Sequence, residues 1–195
     1  MRLILASASP RRAELLTSAG YSFDVAPSDV DETPQPGEAS DDYALRVARE
    51  KAAVAVFRAP GAVVLAADTV VVAGDRILGK PLDGADGARM LRLLSGGTHE
   101  VVTAVVIRRG QHERSQIVTT RVRFLPLSEA EIAWYVASGE PAGKAGGYAI
   151  QGLAARFIDR IEGSWSNVVG LPLSTVYRLL EDVNAIDPPS TATVF

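Results

Sequence analysis

The sequence predicts an α/β protein, because short apolar runs typical of strands alternate with segments of helical periodicity along its 195 residues. Hydrophobic residues make up 47% of the chain, which is enough for a sizeable core. Neither an internal repeat nor an interdomain linker interrupts this alternation. We therefore expect one domain over 1–184, followed by a disordered tail over 185–195 that contains Pro188 and Pro189.

Each element follows from its own local signals. Strand patterns fall at 2–6, 21–26, 62–72, 99–109 and 114–125, and helical patterns fall at 10–19, 41–58, 84–94, 128–138 and 172–184. Pro10 suits the first turn of the first helix, and Gly20 suits its end. The proline-rich segment 27–40 is expected to be a loop. Ser128 and Glu131 form a capping box at the start of the fourth helix.

Composition excludes several classes of function. The chain has no cysteine, so disulfides, thiolate zinc sites and cysteine nucleophiles are excluded, and oxygen ligands or the two histidines would have to hold any metal. The longest apolar run, 62–73, is broken by Asp68 and is too short to span a bilayer, so we expect a cytoplasmic protein with no membrane partner. A net charge of −3 favours a small phosphorylated ligand over a nucleic acid polymer.

The start of the first helix has the layout of a phosphate-binding site. An apolar strand leads directly into Ser7, Ser9 and Pro10, followed by the adjacent arginines Arg11 and Arg12. A helix N-terminus offers unpaired backbone N–H groups, and guanidinium groups match phosphate oxygens. Two cations at that end oppose the helix dipole unless an anion lies between them. The alternative is that Ser9 only caps the helix and both arginines are solvated.

Asp68 interrupts what otherwise reads as one continuous buried strand. A buried carboxylate is costly unless cations or a metal hold it ionised. Lys51 on the preceding helix and Lys80 in the loop after the strand are the nearest cations in the pattern. An acid with several cations beside a phosphate-binding helix predicts a hydrolytic site in which Asp68 activates water or binds a divalent ion. The alternative is a purely structural carboxylate.

A glycine-rich segment, Gly143–Gly152, lets the backbone approach a ligand closely. Within it, Lys144 suits a phosphate, and Gln151 carries both donors and an acceptor with which to read the edge of a base. The alternative is a flexible surface loop. His99 and His112 lack metal-ligand spacing, so neither is assigned a role.

Seven ordered motifs resemble the Maf family over nearly the whole chain. They are Ser7–Arg12, Ala48–Ala52, Ala67–Val70, Gly79–Pro81, Ser95–His99, Gly143–Gly152 and Asn167–Pro172. The resemblance implies an inosine-triphosphatase-like α/β fold: a mixed twisted sheet with flanking helices and two lobes around a central cleft. It also implies a nucleoside triphosphate pyrophosphatase in which water attacks the α-phosphorus with help from Mg²⁺ or Mn²⁺.

The resemblance also assigns residues by position. Asp68 is the implied proton acceptor, and Glu32 would help it hold the metal. The residues implied to bind phosphates are Ser7, Arg12, Lys51 and Lys80. The positions associated with base choice are Arg11, Thr69 and Gln151.

The glycine-rich segment is similar to that of the family branch that hydrolyses dTTP and UTP. One alternative is the branch that acts on 7-methyl-GTP. Another is a non-catalytic nucleotide-binding regulator, since family members have been linked with septum formation and division arrest. The oligomeric state stays open, with a homodimer among the alternatives.

Overall fold

The computed structural model describes residues 2–183, so the tail predicted over 185–195 lies outside the described residues. The strands are β1 (Leu3–Leu5), β2 (Asp24–Val25), β3 (Val63–Ala73), β4 (Arg76–Leu78), β5 (Thr98–Arg109), β6 (His112–Phe124) and β7 (Ile158–Glu162). The α-helices are α1 (Pro10–Ser18), α2 (Ser40–Arg58), α3 (Gly84–Leu94), α4 (Glu129–Ala137), α5 (Trp165–Val169) and α6 (Leu173–Asp182), and 3-10 turns cover Ala145–Gly147 and Leu153–Phe157. None of the helices in this part of the chain has the length and apolar content that a membrane crossing requires.

The strands form one mixed sheet in the order β2-β1-β3-β5-β6-β7, with β4 paired to β3. β1 runs parallel to β2 and β3, whereas the β3–β5, β5–β6 and β6–β7 pairs are antiparallel. In the β3–β5 register, Asp68 lies opposite Ala104 and Thr69 lies opposite Thr103. Asp68 therefore lies near the middle of β3, a long central strand of the sheet.

Alternation along β3 decides which layer each side chain meets. Successive residues of a strand point to opposite faces. Val64, Ala66 and Val70 belong to the core cluster that includes the buried alanines of α2, whereas Val63 and Leu65 pack with residues of α1 and α6. Even-numbered positions therefore face α2. The same parity places Asp68 towards α2, the helix that carries Lys51.

A third core cluster forms the second lobe. It combines α3 and α4 with β4 and with the ends of β3, β5 and β6 that lie near them. Met90 and Leu91 of α3 pack there with Ile132 and Tyr135 of α4. The strong amphipathic pattern of the predicted helix 84–94 explains this burial. The sheet thus joins this second lobe to a first lobe formed with α1, α2 and α6. The loops where the two lobes meet surround a cleft.

Most predicted elements are confirmed, and the differences concern short segments. The capping box of Ser128 and Glu131 is present, and Gly20 follows α1 with φ +78°, the left-handed conformation that favours glycine. The strand predicted over 21–26 is limited to Asp24–Val25. The elements β4, β7 and α5 were not predicted, because segments of three to five residues carry too little periodicity.

Candidate active site

A cleft of about 590 Å³ lies where the loops after β1, β2 and β4 meet the glycine-rich segment. This volume is in the range of ordinary small-molecule sites. The predicted site residues that line it are Ser7, Arg11, Arg12, Glu32, Lys51, Asp68, Thr69, Lys80 and Gln151. Chain segments as distant in sequence as α1 and the Gly143–Gly152 segment therefore converge on one space. Lys144 is the predicted site residue that does not line the cleft.

The floor of the cleft holds a buried ion pair. Lys51 Nζ lies 2.7 Å from Asp68 Oδ1, and the two side chains are 9% and 10% exposed. The pair forms because α2 packs on the even-numbered face of β3. A lysine is an adaptable partner here, since its flexible stem crosses the alanine-rich surface between helix and sheet. The prediction of a nearby cation for Asp68 is therefore met by Lys51.

Glu32 and Lys80 extend this pair into a charge ladder, by which we mean Asp68–Lys51–Glu32–Lys80. Lys51 Nζ also lies 2.6 Å from Glu32 Oε1, and Lys80 Nζ lies 3.0 Å from Glu32 Oε2. Exposure rises along the ladder, from the buried Asp68 to the 60% exposed side chain of Lys80. Lys80 therefore pairs with Glu32 at the mouth of the cleft and makes no ion pair with Asp68.

The carboxyl groups of the ladder respond oppositely to their surroundings. Burial raises the pKa of Asp68 above its ordinary value, although the Lys51 and Arg12 cations pull it down. Burial also acts on Glu32, but hydrogen bonds and charge from Lys51 and Lys80 outweigh it and lower the pKa of that carboxyl. Paired titratable groups whose environments push their pKa values apart are typical of acid–base sites. Asp68 is the group placed to take up a proton.

Arg12 is built into the wall of the cleft. Its guanidinium donates to the carbonyl oxygens of Gly170 and Ala67, each at 2.8 Å, to Thr69 Oγ1 at 2.9 Å and to Ser7 Oγ at 3.1 Å. These bonds join α1 to β3 and to the end of α5. These hydrogen bonds also explain how a buried arginine is tolerated near a helix N-terminus without an anion. The sequence pattern of two adjacent arginines did not predict them. The alternative of two solvated arginines is wrong for Arg12.

Arg11 differs from its neighbour. It lines the cleft, is partly buried, and its guanidinium makes no hydrogen bond or ion pair to the rest of residues 2–183. Burial lowers its pKa from the ordinary value, which is so high that the group stays charged. Adjacent residues of a helix diverge by about 100° around its axis. One arginine thus bonds to the protein wall while the other keeps its donors available to the cleft.

The N-terminal turn of α1 keeps donors available. Ser9 occupies the cap position, but its side chain makes no capping hydrogen bond, so the alternative that Ser9 only caps the helix is wrong. Ser7 Oγ accepts from the Ser9 amide at 3.2 Å and from Arg12, which leaves its own O–H to donate. A helix N-terminus with free N–H groups and a hydroxyl donor is a ready anion site. This matches the phosphate-binding layout predicted from the sequence.

The glycine-rich segment packs against the sheet and is not a loose surface loop. The Gly146 amide donates to the Gly79 carbonyl at 3.0 Å, which ties the segment to the loop that carries Lys80. A Cβ at Gly146 would lie 2.8 Å from Val71, and its φ is +68°, so only glycine fits this close approach. The packing places Gln151 at the wall of the cleft. Gln151 is itself exposed, so its amide is accessible to a ligand.

Lys144 is directed back onto its own segment. Its ammonium donates to the Glu140 carbonyl at 2.6 Å and to the Ala142 carbonyl at 3.4 Å. Burial and the nearby charge of Arg11 lower its pKa. The assignment of Lys144 to phosphate stays a prediction, and this arrangement lends it no support. Spacing alone could not reveal the carbonyl groups that hold the side chain.

Carboxylate oxygens in the cleft fit a hard divalent cation. Asp68 and Glu32 each place an oxygen within 2.7 Å of the same ammonium nitrogen, so the two carboxylates lie close together. No group of three or more His, Cys, Asp or Glu side chains suited to a metal occurs within residues 2–183. Mg²⁺ is commonly held by one or two carboxylates plus substrate phosphates and water, and the pair matches that donor set.

Known proteins resemble this chain over most of its length. A protein of Anaeromyxobacter dehalogenans (strain 2CP-C) is 55% identical over 183 residues, covering 92% of each chain. A protein of Geobacter sulfurreducens is 52% identical over 187 residues, covering 95% of this chain and 98% of the relative. Both relatives carry the name dTTP/UTP pyrophosphatase.

A solved structure shares the fold at low identity. The Staphylococcus aureus Ham1 protein superposes with a TM-score of 0.56 and 13% identity, covering 94% of this chain and all 100% of that one. This likeness concerns the fold alone and agrees with the predicted inosine-triphosphatase-like arrangement. A model of the family described as Maf-like protein matches residues 2–183. With the identities above, this match confirms the resemblance inferred from the motifs: the chain belongs to the Maf family.

Proposed function

We propose that this chain is a nucleoside triphosphate pyrophosphatase that hydrolyses dTTP and UTP to the nucleoside monophosphate and pyrophosphate. The relatives at 55% and 52% identity carry that name and are covered almost completely. The observation that carries the proposal is the buried Asp68, held beside Lys51 in a cleft lined by phosphate-binding groups. A site that only stored a nucleotide would need the cations but not this acid.

In the proposed reaction, Asp68 accepts a proton from the attacking water. The water oxygen bonds to the α-phosphorus, the bond from that phosphorus to the bridging oxygen breaks, and pyrophosphate leaves. Arg12, Lys51 and Lys80 supply positive charge around the phosphates, and Ser7 supplies a hydroxyl donor. Such fixed charges favour a transition state in which negative charge develops on phosphate oxygens.

Asp68 and Glu32 are the residues proposed to hold Mg²⁺ or Mn²⁺. When bound, the cation would neutralise phosphate charge and polarise the phosphoryl group. Lys51 bridges the two carboxylates, so a metal there would compete with its ammonium for the same oxygens. We propose that substrate phosphates and water complete the coordination of the metal.

The proposal assigns base choice to Arg11, Thr69 and Gln151. Gln151 can donate and accept at once, as recognition of the edge of a pyrimidine requires. Thr69 Oγ1 accepts a hydrogen bond from Arg12 and lies 3.0 Å from Thr103 Oγ1. Because its hydroxyl is already engaged, we propose that Thr69 acts mainly by shaping the wall of the cleft. The proposed substrate is a small nucleotide, and neither a nucleic acid polymer nor a membrane is a proposed partner. We also propose a cytoplasmic location for the protein.

The first test is release of pyrophosphate from dTTP, UTP, CTP, GTP and 7-methyl-GTP with Mg²⁺ or Mn²⁺, each beside a reaction with EDTA. We expect metal-dependent release that is fastest with dTTP and UTP. Turnover of 7-methyl-GTP alone would move the chain to the sister branch. Binding without release of pyrophosphate from any nucleotide would favour a regulatory protein.

Replacing Gln151 by Ala is expected to change the ranking of bases. Loss of one hydrogen-bonding side chain at the base costs about 1.4 kcal/mol, or about tenfold in kcat/KM for dTTP and UTP relative to CTP. The measurement is kcat/KM for each nucleotide, with Gln111→Ala in the exposed β5–β6 turn as the matched control. An equal slowdown for all nucleotides would contradict the role in base choice.

A further inference from the structure

The segment that carries Gln151 has little conformational preference of its own. Gly143, Gly146 and Gly147 all have φ near +70°, and glycine loses more backbone freedom on ordering than any other residue. The segment is nevertheless ordered against the second lobe. Besides the hydrogen bond from the Gly146 amide to the Gly79 carbonyl, two tyrosine hydroxyls hold it in place.

The first of these anchors is Tyr135 of α4. Its ring is fully buried in the second lobe, and its hydroxyl accepts a hydrogen bond from the Ala149 amide at 3.2 Å, two residues before Gln151. The same hydroxyl donates to Glu140 Oε1 at 2.8 Å. The Tyr135 hydroxyl thus acts both as a donor and as an acceptor. It connects α4 directly to the backbone beside Gln151.

Glu140 continues this anchor on the far side of Gln151. Its carboxylate accepts from the Leu153 amide at 2.9 Å and from the Ala154 amide at 3.3 Å. The approach is so close that a Cβ on Gly152 would clash with the Glu140 carboxylate. This carboxylate therefore fixes the backbone just after Gln151, while Tyr135 fixes it just before.

The second anchor is Tyr148, which lines the cleft. Its hydroxyl and His99 Nε2 share a hydrogen bond of 2.8 Å, and its ring packs edge-on to those of His99 and Phe124. Burial lowers the pKa of His99 to about 4, so the imidazole is neutral at pH 7. Burial also raises the pKa of the Tyr148 phenol, which keeps its proton. The pair is a neutral hydrogen bond inside an aromatic cluster.

We propose that Tyr135 with Glu140, and Tyr148 with His99, are positioning residues for base recognition. Tyr135, Glu140 and His99 hold the segment 143–152 from outside it, whereas Tyr148 belongs to the segment and anchors it through His99. The inference rests on the proposed function in one respect, the reading of the base by Gln151. It adds that the affinity and choice of base depend on residues of α4, β5 and the turn after α4.

The test uses Tyr135→Phe and Tyr148→Phe, which remove one hydroxyl each while keeping the ring. Each is expected to raise KM for dTTP and UTP by about tenfold with kcat changed less than about twofold, because an anchor of binding is lost and the reacting groups remain. Tyr177→Phe on the partly exposed face of α6 is the matched control and should leave KM unchanged. Glu140→Gln places an amide N–H₂ against backbone donors and should behave like Tyr135→Phe.

Hydrogen exchange of the amides in 143–152 gives a readout that does not depend on turnover. In both anchor variants these amides should exchange at least about tenfold faster than in the unmodified protein, while those of β5 stay protected. Unchanged exchange and unchanged KM would overturn the proposal. So would a fall in kcat that is equal for all nucleotides with no change in KM. If the unmodified protein hydrolyses no nucleotide, the proposed function fails, yet the exchange measurement still decides whether the anchors hold the segment.

Discussion

Replacing Asp68 by Asn is expected to lower kcat at least about 100-fold, the usual contribution of a general base. The amide has nearly the shape of the carboxylate, but it cannot take a proton from water. Nucleotide affinity should change by less than about threefold, because Ser7, Arg11 and Lys80 keep their positions in the cleft. The measurements are pyrophosphate release at saturating dTTP with the metal present and the dissociation constant of dTTP in EDTA, where the proposed metal-holding role of Asp68 does not contribute.

The matched control for this change is Asp159→Asn on the exposed edge of β7, where the carboxylate makes a long ion pair of 3.5 Å with Arg123. It should leave both quantities unchanged. Retained turnover in Asp68→Asn would remove the acid from the mechanism. Loss of metal-free nucleotide binding together with turnover would instead mean that Asp68 is needed to maintain the nucleotide-binding cleft.

The burial of Asp68 could be predicted because the strand around it is so uniformly apolar. A carboxylate between Ala67 and Thr69 in such a run has few explanations, and burial confirms the reading of the strand. The identity of its partner needed the three-dimensional packing. Lys51 and Lys80 were equal candidates in sequence, and only the docking of α2 on the even-numbered face of β3 brings Lys51 to Asp68.

The two arginines of α1 show why other parts of the site could not be predicted. Arg11 and Arg12 are adjacent and chemically identical, yet one lines the cleft without a partner among residues 2–183 and the other is bonded throughout. The partners that make the difference include the carbonyl groups of Ala67 and Gly170. Every residue has a backbone carbonyl, so a sequence carries no mark of the ones that a distant side chain will use.

The anchors of the glycine-rich segment were missed for a related reason. Tyr135 and Tyr148 fit the sequence pattern as ordinary core aromatics, and Glu140 fits that of a polar turn. Their importance lies in the backbone amides that they meet, such as that of Ala149. Motifs therefore located the segment proposed to read the base, whereas the groups that hold it became visible only from hydrogen bonds.

Replacing Lys51 by Met is expected to lower the free energy of unfolding at pH 7 by about 3 kcal/mol, because it leaves a buried carboxylate without its ion-pair partner. Arg49→Met is the matched control on the same helix. Arg49 forms an ion pair with Glu113 at 2.8 Å, but its side chain is 50% exposed, so its loss should cost less than about 1 kcal/mol. Denaturant unfolding of both variants gives the comparison.

The same substitution should also move the pH dependence of activity. Asp68 works as a base when ionised, so kcat/KM falls as the pH drops through its pKa, which burial already holds above the ordinary value. Lys51 lowers that pKa, as does Arg12, whereas Glu32 raises it. Without Lys51, the pKa rises, and the acid limb of residual activity should shift by at least about one unit to higher pH.

The pH dependence of the free energy of unfolding follows from the same raised pKa of Asp68. A carboxyl whose pKa is raised on folding favours the folded state below its unfolded pKa, and this contribution is lost as the pH rises through the folded value. The Lys51→Met protein should therefore regain stability relative to the unmodified protein as the pH falls and Asp68 becomes neutral. A stability difference that is independent of pH, or an acid limb that stays in place, would mean that Lys51 does not govern the ionisation of Asp68. Both quantities come from unfolding curves and kcat/KM measured over one pH series.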